Sequence, residues 1–141
     1  MVIPEKERTR LDEARVARLA TVSPQGTPHV VPVCFVFDGS LFYSAIDRKP
    51  KSTPPRQLAR LKNIQTTPDV ALLVDEYDEN WAQLWYVLVR GIAALVTDPA
   101  EHKHAVTRLK AKYPQYAAEM LDQDAPILRI TPGRITSWGK L

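Results

Sequence analysis

The stretch from Ala17 to Ile46, ARLATVSPQGTPHVVPVCFVFDGSLFYSAI, constrains the fold more than any other part of the chain. It is dense in β-branched and aromatic residues, which suit a pleated, half-buried surface. Turn chemistry breaks it twice. Ser23-Pro24-Gln25-Gly26 reads as a turn of several residues, and Asp38-Gly39 as a tight hairpin. The pattern predicts strands at about 17–22, 28–37 and 41–46. Pro28 and Pro32 have no amide to donate, so the second of these needs an edge, a bulge or a ligand beside it. With 12 prolines in 141 residues, the composition argues against a simple helical bundle.

The flanking segments change period. Residues 4–15 read as a helix, with Pro4 in the first turn, Glu5 and Glu7 at its positive end, and Arg10 and Arg15 later. Thr53 can cap a second helix whose first turn holds Pro54 and Pro55. Leu58, Leu61 and Ile64 recur at three-residue spacing and face the core. DVALLVDE reads as a buried strand, DEYDEN as a loop, and QLWYVLVRGIAALVT as a long strand bent or bulged at Gly91. Asp98 and Pro99 open another helix, and Pro114 a short one. APILRIT and GRITSW close the chain as two short strands around Pro132-Gly133. The sum is a mainly β, α+β protein, with six to seven antiparallel strands forming a barrel flanked by helices. One domain accounts for residues 1–141.

Several chemistries are excluded. The five glycines are too scattered for G-x-G-x-x-G or a P-loop, so side chains must supply most donors to any phosphate. Cys34 is the one cysteine, which rules out an internal disulfide and any multi-cysteine metal site. His102 and His104 lie two apart on a helix and share no face. No apolar run is long enough to span a membrane, and the N-terminus lacks the apolar core of a secretory signal. A cytoplasmic protein is the expectation.

The net charge is only +3, but it is unevenly placed. Arg48, Lys49, Lys51, Arg56, Arg60 and Lys62 put six cations into residues 48–62 with no acid among them. Arg56 and Arg60 are i,i+4 neighbours, and Asn63 continues their face, opposite the packing leucines. Guanidinium forks match phosphate oxygens, so the segment suits a polyanionic ligand. The small overall charge and the lack of interleaved aromatics speak against nucleic acid. A solvated basic loop is the plain alternative.

The ordered set L-A-T-V with its glycine turn, H-V-V-P-V, D-G with an aromatic strand, the basic segment ending R-L-K-N-I, and L-W-Y-V-L-V-R-G resembles a known family. It is similar to the flavin and deazaflavin oxidoreductases of the pyridoxamine 5′-phosphate oxidase-like split β-barrel superfamily. Within it the chain most resembles the coenzyme F420-dependent (FDOR-B type) branch of actinobacteria, over residues 10–138. The resemblance implies a homodimer with two cofactor sites at the subunit interface. It puts His29, Val31, Pro32 and Val33 near the cofactor ring. It assigns the cofactor's phosphate to Ser44, Ala45 and Ile46, then Lys49, Lys51, Arg56, Arg60 and Asn63. Trp85 and Tyr86 fall on the strand that supplies contacts from the other subunit. The implied reaction is hydride transfer between reduced F420 and a small organic substrate. An FMN-binding oxidoreductase and a non-catalytic F420 carrier are the alternatives. Hydride chemistry resides in such a cofactor, which accounts for a sequence without a catalytic dyad.

The remaining distinctive residues have plain readings. Cys34 reads as a small core hydrophobe. The acidic run from Asp75 lacks the glycine and spacing of a calcium loop and reads as a solvated turn. Trp81, Trp85 and Tyr86 serve either the core or an interface, and Trp138 is either a plug against the barrel or a lid over the cofactor.

Overall fold

A computed structural model describes residues 1–46 and 58–141, except for the side chain of Glu119. The order of elements is helix α1 (Glu5–Glu13), strands β1 (Ala17–Val22), β2 (Pro28–Val33), β3 (Val36–Phe37) and β4 (Phe42–Ala45), helix α2 (Ala59–Thr66), strands β5 (Asp69–Glu76) and β6 (Trp85–Leu95), helix α3 (Pro99–Lys112), a π-helical turn (Tyr116–Met120) and strand β7 (Ile127–Gly139). The seven strands form one antiparallel sheet in the order β2-β1-β5-β6-β7-β4-β3.

The topology forces the sheet to close. β2 and β3 occupy its two opposite edges, yet only Cys34 and Phe35 separate them in the chain. The three Cα–Cα steps from Val33 to Val36 span at most about 11 Å. The sheet must therefore curl until its edges meet, which makes the split barrel. The expected strand at 28–37 is thus two strands on opposite edges, divided where the chain crosses the seam. Phe35, Phe37 and Phe42 are buried at this crossing, and the Phe37 and Phe42 rings stack at 4.5 Å. Pro28 and Pro32 sit on an edge strand, where a missing amide costs nothing and blunts pairing with other chains.

At the other end of the chain the correction runs the opposite way. The two short strands expected around Pro132-Gly133 are one strand, β7. The register moves from Arg90 opposite Arg134 to Gly91 opposite Pro132, so Gly133 is the extra residue of a bulge on β7 rather than on β6. Gly91 is required for a different reason: a Cβ there would collide with the Thr131 carbonyl.

The helices close the barrel. α1 contributes Leu11, which is fully buried, and ends at Glu13, before Arg15. α2 buries Leu61 and Ile64 as their spacing predicts, and it begins at Ala59. The expected cap at Thr53 and turn at Pro54-Pro55 lie outside the described residues. Asp98 caps α3 by accepting a hydrogen bond from the Glu101 amide at 3.0 Å. Two cores result. One fills the barrel under α1 and α2, and the other lies between α3 and strands β3, β4 and β7. No helix among the described residues is long and apolar enough to cross a membrane.

Candidate functional site

The site is best located from the polar groups that the barrel core cannot absorb. Thr21 is fully buried on the inner face of β1, and its cross-strand partner on β2 is His29. α2 packs over this end, and Asn63 donates from Nδ2 to Thr21 Oγ1 at 3.0 Å. Asn63 is only 7% exposed, so it does not continue an outward face with Arg60. Its amide ties α2 to β1 and fixes where the helix bearing Arg60 and Lys62 sits. Burying an amide is tolerable only with such a partner.

His29 is the group left over. Its Nδ1 is buried, and among the described residues it has no hydrogen-bond partner. Such an atom costs free energy unless a ligand or second molecule satisfies it. Beside this end, Leu61, Ile64 and Gln65 of α2 and Ala93, Ala94 and Leu95 of β6 line a cavity of about 270 Å³. Ile46 and Leu58, which flank the undescribed segment, both pack into or against the barrel core. α2, which carries Arg60 and Asn63, thus packs over the end of the barrel where His29 lies. Arg48, Lys49, Lys51 and Arg56 lie outside the described residues.

The other expected site residues divide by strand geometry. Along β2 alternate residues face opposite sides. Val31 and Val33 share the inner face with His29 and belong to the core, whereas Pro32 is outward and exposed. Ser44 is buried, and its hydroxyl donates to the Cys34 carbonyl at 2.8 Å. Ala45 and Ile46 are also buried, and the Ile46 amide donates to the Pro126 carbonyl. The same alternation separates Trp85 from Tyr86. Trp85 is buried, donates from Nε1 to Glu76 at 2.9 Å, and carries the Arg10 guanidinium over its ring at 4.6 Å. Tyr86 faces outward and stacks on Trp138 at 6.2 Å. Both lie at the far end of β6. Gly91 is at the level of Thr21, five residues from Tyr86, or about 17 Å along the strand. Within one chain, Tyr86 therefore does not join His29 and Arg60.

Sequence reasoning missed Thr21 as a member of this group. The signal was a threonine among apolar residues in L-A-T-V, at an inward position, where a hydroxyl needs a partner.

The family comparison agrees with this architecture. The pyridoxamine 5′-phosphate oxidase family matches residues 3–139, and the chain belongs to that family. Among solved structures, the chain is similar to an F420 reductase, with 25% identity over 95% of this chain and 98% of that one and a TM-score of 0.68. It is similar to the conserved hypothetical protein Rv2991 of Mycobacterium tuberculosis, with 22% identity over 99% and 86% and a TM-score of 0.75. It is also similar to HutZ, the heme storage protein of Vibrio cholerae, with 17% identity over 99% and 95% and a TM-score of 0.73. At those last two identities the likeness is one of fold. No curated protein matches the sequence.

Proposed function

We propose that the chain is a cytoplasmic, homodimeric, single-domain oxidoreductase. It binds coenzyme F420 and moves a hydride between the reduced cofactor and a small unsaturated or carbonyl-bearing organic substrate. The observation that carries this reading is the buried Nδ1 of His29, without a hydrogen-bond partner among the described residues, at the end of the barrel where α2 brings Arg60. A cofactor with a polar ring and an anionic side chain fits both. The likeness to an F420 reductase at 25% identity over nearly both full chains supports the deazaflavin.

When bound, the deazaflavin supplies the carbon that gives or takes the hydride. The protein's own tasks are then positional and electrostatic. Arg60, with Lys49, Lys51 and Arg56, neutralises the anionic side chain. Asn63 acts through Thr21 to hold α2, and His29 offers a hydrogen bond from Nδ1 to the polar edge of the ring. Val31 and Val33 back that strand from the core. Tyr86 serves the site of the other subunit.

Titration into F420 should quench or shift the deazaflavin fluorescence with saturation. Arg60→Ala and His29→Leu should each weaken binding by about tenfold, the worth of one charge-assisted hydrogen bond. Unchanged affinity in both variants would remove the site.

A second reading keeps the barrel and exchanges the cofactor for FMN, and membership of an oxidase family named for pyridoxamine 5′-phosphate favours it. A yellow protein with a flavin spectrum that F420 does not displace decides for FMN. Saturable F420 binding without turnover across a broad substrate panel decides for a carrier.

A further inference from the structure

The outer face of strands β2, β1, β5, β6 and β7 is open and mixes apolar side chains with the charges of Arg18, Asp69, Asp75, Arg90 and Arg134. Ala20, Ala71, Leu73 and Leu88 are half-buried there, while Val30 and Ile92 are 60% and 48% exposed. In the middle of this face Arg90 of β6 and Arg134 of β7 stand directly opposite each other. Like charges in that position repel. Both side chains are exposed, and among the described residues neither makes a hydrogen bond or an ion pair. Arg18, on the same face, is instead paired with Asp75 at 2.6 Å. Two such guanidiniums amid apolar neighbours are best covered by a surface that brings carboxylates, because a buried unpaired charge is costly.

The chain carries a complementary element. The connection between β5 and β6 exposes Asp78 and Glu79, flanked by Tyr77 and Trp81 at 66% and 71% exposure. Its shape is held from within. The Asn80 amide donates to Asp78, the Ala82 amide to Asn80, and the Trp81 indole N–H to the Tyr77 hydroxyl at 3.3 Å. A preformed tip with two aromatic knobs and two carboxylates has the composition of an interface anchor.

We propose that the acidic tip of one copy docks on the Arg90–Arg134 pair of a second copy, with Asp78 and Glu79 supplying the carboxylates and Tyr77 and Trp81 covering the apolar face beside it. Two-fold symmetry makes the contact twice. The proposal rests on the homodimer reading and gives that dimer its polar anchor.

The test is the monomer–dimer equilibrium by analytical ultracentrifugation at fixed salt. Arg90→Glu with Arg134→Glu should weaken association at least about tenfold, and Asp78→Lys with Glu79→Lys should do the same. All four substitutions lie on exposed side chains, and circular dichroism checks each fold. Mixing the two variants should restore the dimer, because both contacts in the mixed pair are again of opposite charge. Dimerisation that is unchanged in either variant, or that mixing does not restore, overturns the proposal while leaving the homodimer standing. A wild-type chain that stays monomeric removes the homodimer and this contact together. Inorganic phosphate that binds at Arg90 and Arg134 without affecting the dimer assigns the pair to a free anion and also overturns the proposal.

Discussion

The two helical caps of the barrel treat their polar groups in opposite ways. Around α3 the groups close on one another. Tyr43 donates to Glu101 at 2.9 Å, and Arg129 pairs with the other oxygen of that carboxylate at 2.7 Å. Burial first, and then the Glu101 contact, push the Tyr43 hydroxyl well above its ordinary pKa, so it remains a donor. Asp38 accepts from the Ser40 and Leu41 amides and pairs with His104 at 2.9 Å. Burial raises its pKa, but those bonds outweigh burial and hold the carboxyl below its usual value. His102 Nε2 donates to the Ala125 carbonyl, and the Tyr113 hydroxyl bridges the backbones of Arg15 and Phe35. Around α2, by contrast, Asn63 and Thr21 satisfy each other while His29 Nδ1 is left open. A cap that has satisfied its own groups is scaffold. A cap that has not is prepared for something else.

Removing groups from each cap should sharpen this contrast. The largest loss is expected for Tyr113→Phe, which strips the buried Phe35 amide of its acceptor and should cost about 1–3 kcal/mol in urea unfolding. A cost below about 0.5 kcal/mol would mean that the α3 cap is not held by this bridge. Thr21→Val should cost about 1 kcal/mol by orphaning the Asn63 amide. The double variant with Asn63→Leu should cost less than the sum of the two single changes, and strict additivity would show the pair to be uncoupled.

Lys112 is the exception within the α3 cap. Its Nζ is buried, has no hydrogen-bond partner among the described residues, and lies 4.0 Å from the Phe35 ring centroid. Burial, aided by the Arg15 charge, lowers its pKa from 10.5 to about 8. Between those values the unfolded chain keeps a proton that the folded chain has shed. Stability should therefore rise from pH 8 to 10.5 through this group and be flat below pH 8. Lys112→Met should abolish that rise and be at least as stable as wild type at pH 7; a slope that survives the substitution belongs to other groups. The smallest effect is expected for His29→Leu. It removes a polar atom that has no hydrogen-bond partner among the described residues, so stability should stay within about 0.5 kcal/mol while cofactor affinity falls. A large loss of stability would make His29 scaffold and erase the distinction between the caps.

Much of the architecture was legible along the chain. The turns at 23–26 and 38–39 are where expected, and Gly26 and Gly39 adopt φ of 85° and 102°, the conformation that favours glycine. Leu61 and Ile64 face the core at helical spacing, and Asp98 caps α3. The split of 28–37 into two strands was not legible, because Val33, Cys34, Phe35 and Val36 are uniformly apolar and carry no turn signal. The division comes from closure of the barrel. The continuity of β7 was hidden for the converse reason: Pro132-Gly133 looks like a turn, and a bulge uses the same residues. For the candidate site, helical spacing groups Asn63 with the arginines, yet Asn63 is buried against Thr21. Helical spacing gives a face only to within about a quarter turn, and the buried Thr21 hydroxyl drew Asn63 inward.

By itself, the sequence determined the strand-rich class, the turn positions, the concentration of positive charge between residues 48 and 62, and the absence of a glycine-rich phosphate loop among its motifs. These are local properties, set by backbone preference and side-chain chemistry over a few residues. Only the tertiary structure decided that β2 and β3 are opposite edges of one sheet, that Trp85 is core while Tyr86 faces outward, that Thr21 meets Asn63 across 42 positions, and that Arg90 and Arg134 stand side by side. Each of these depends on register and closure. A strand's neighbour is chosen by the whole sheet, and a shift of one residue would turn every side chain to the other face.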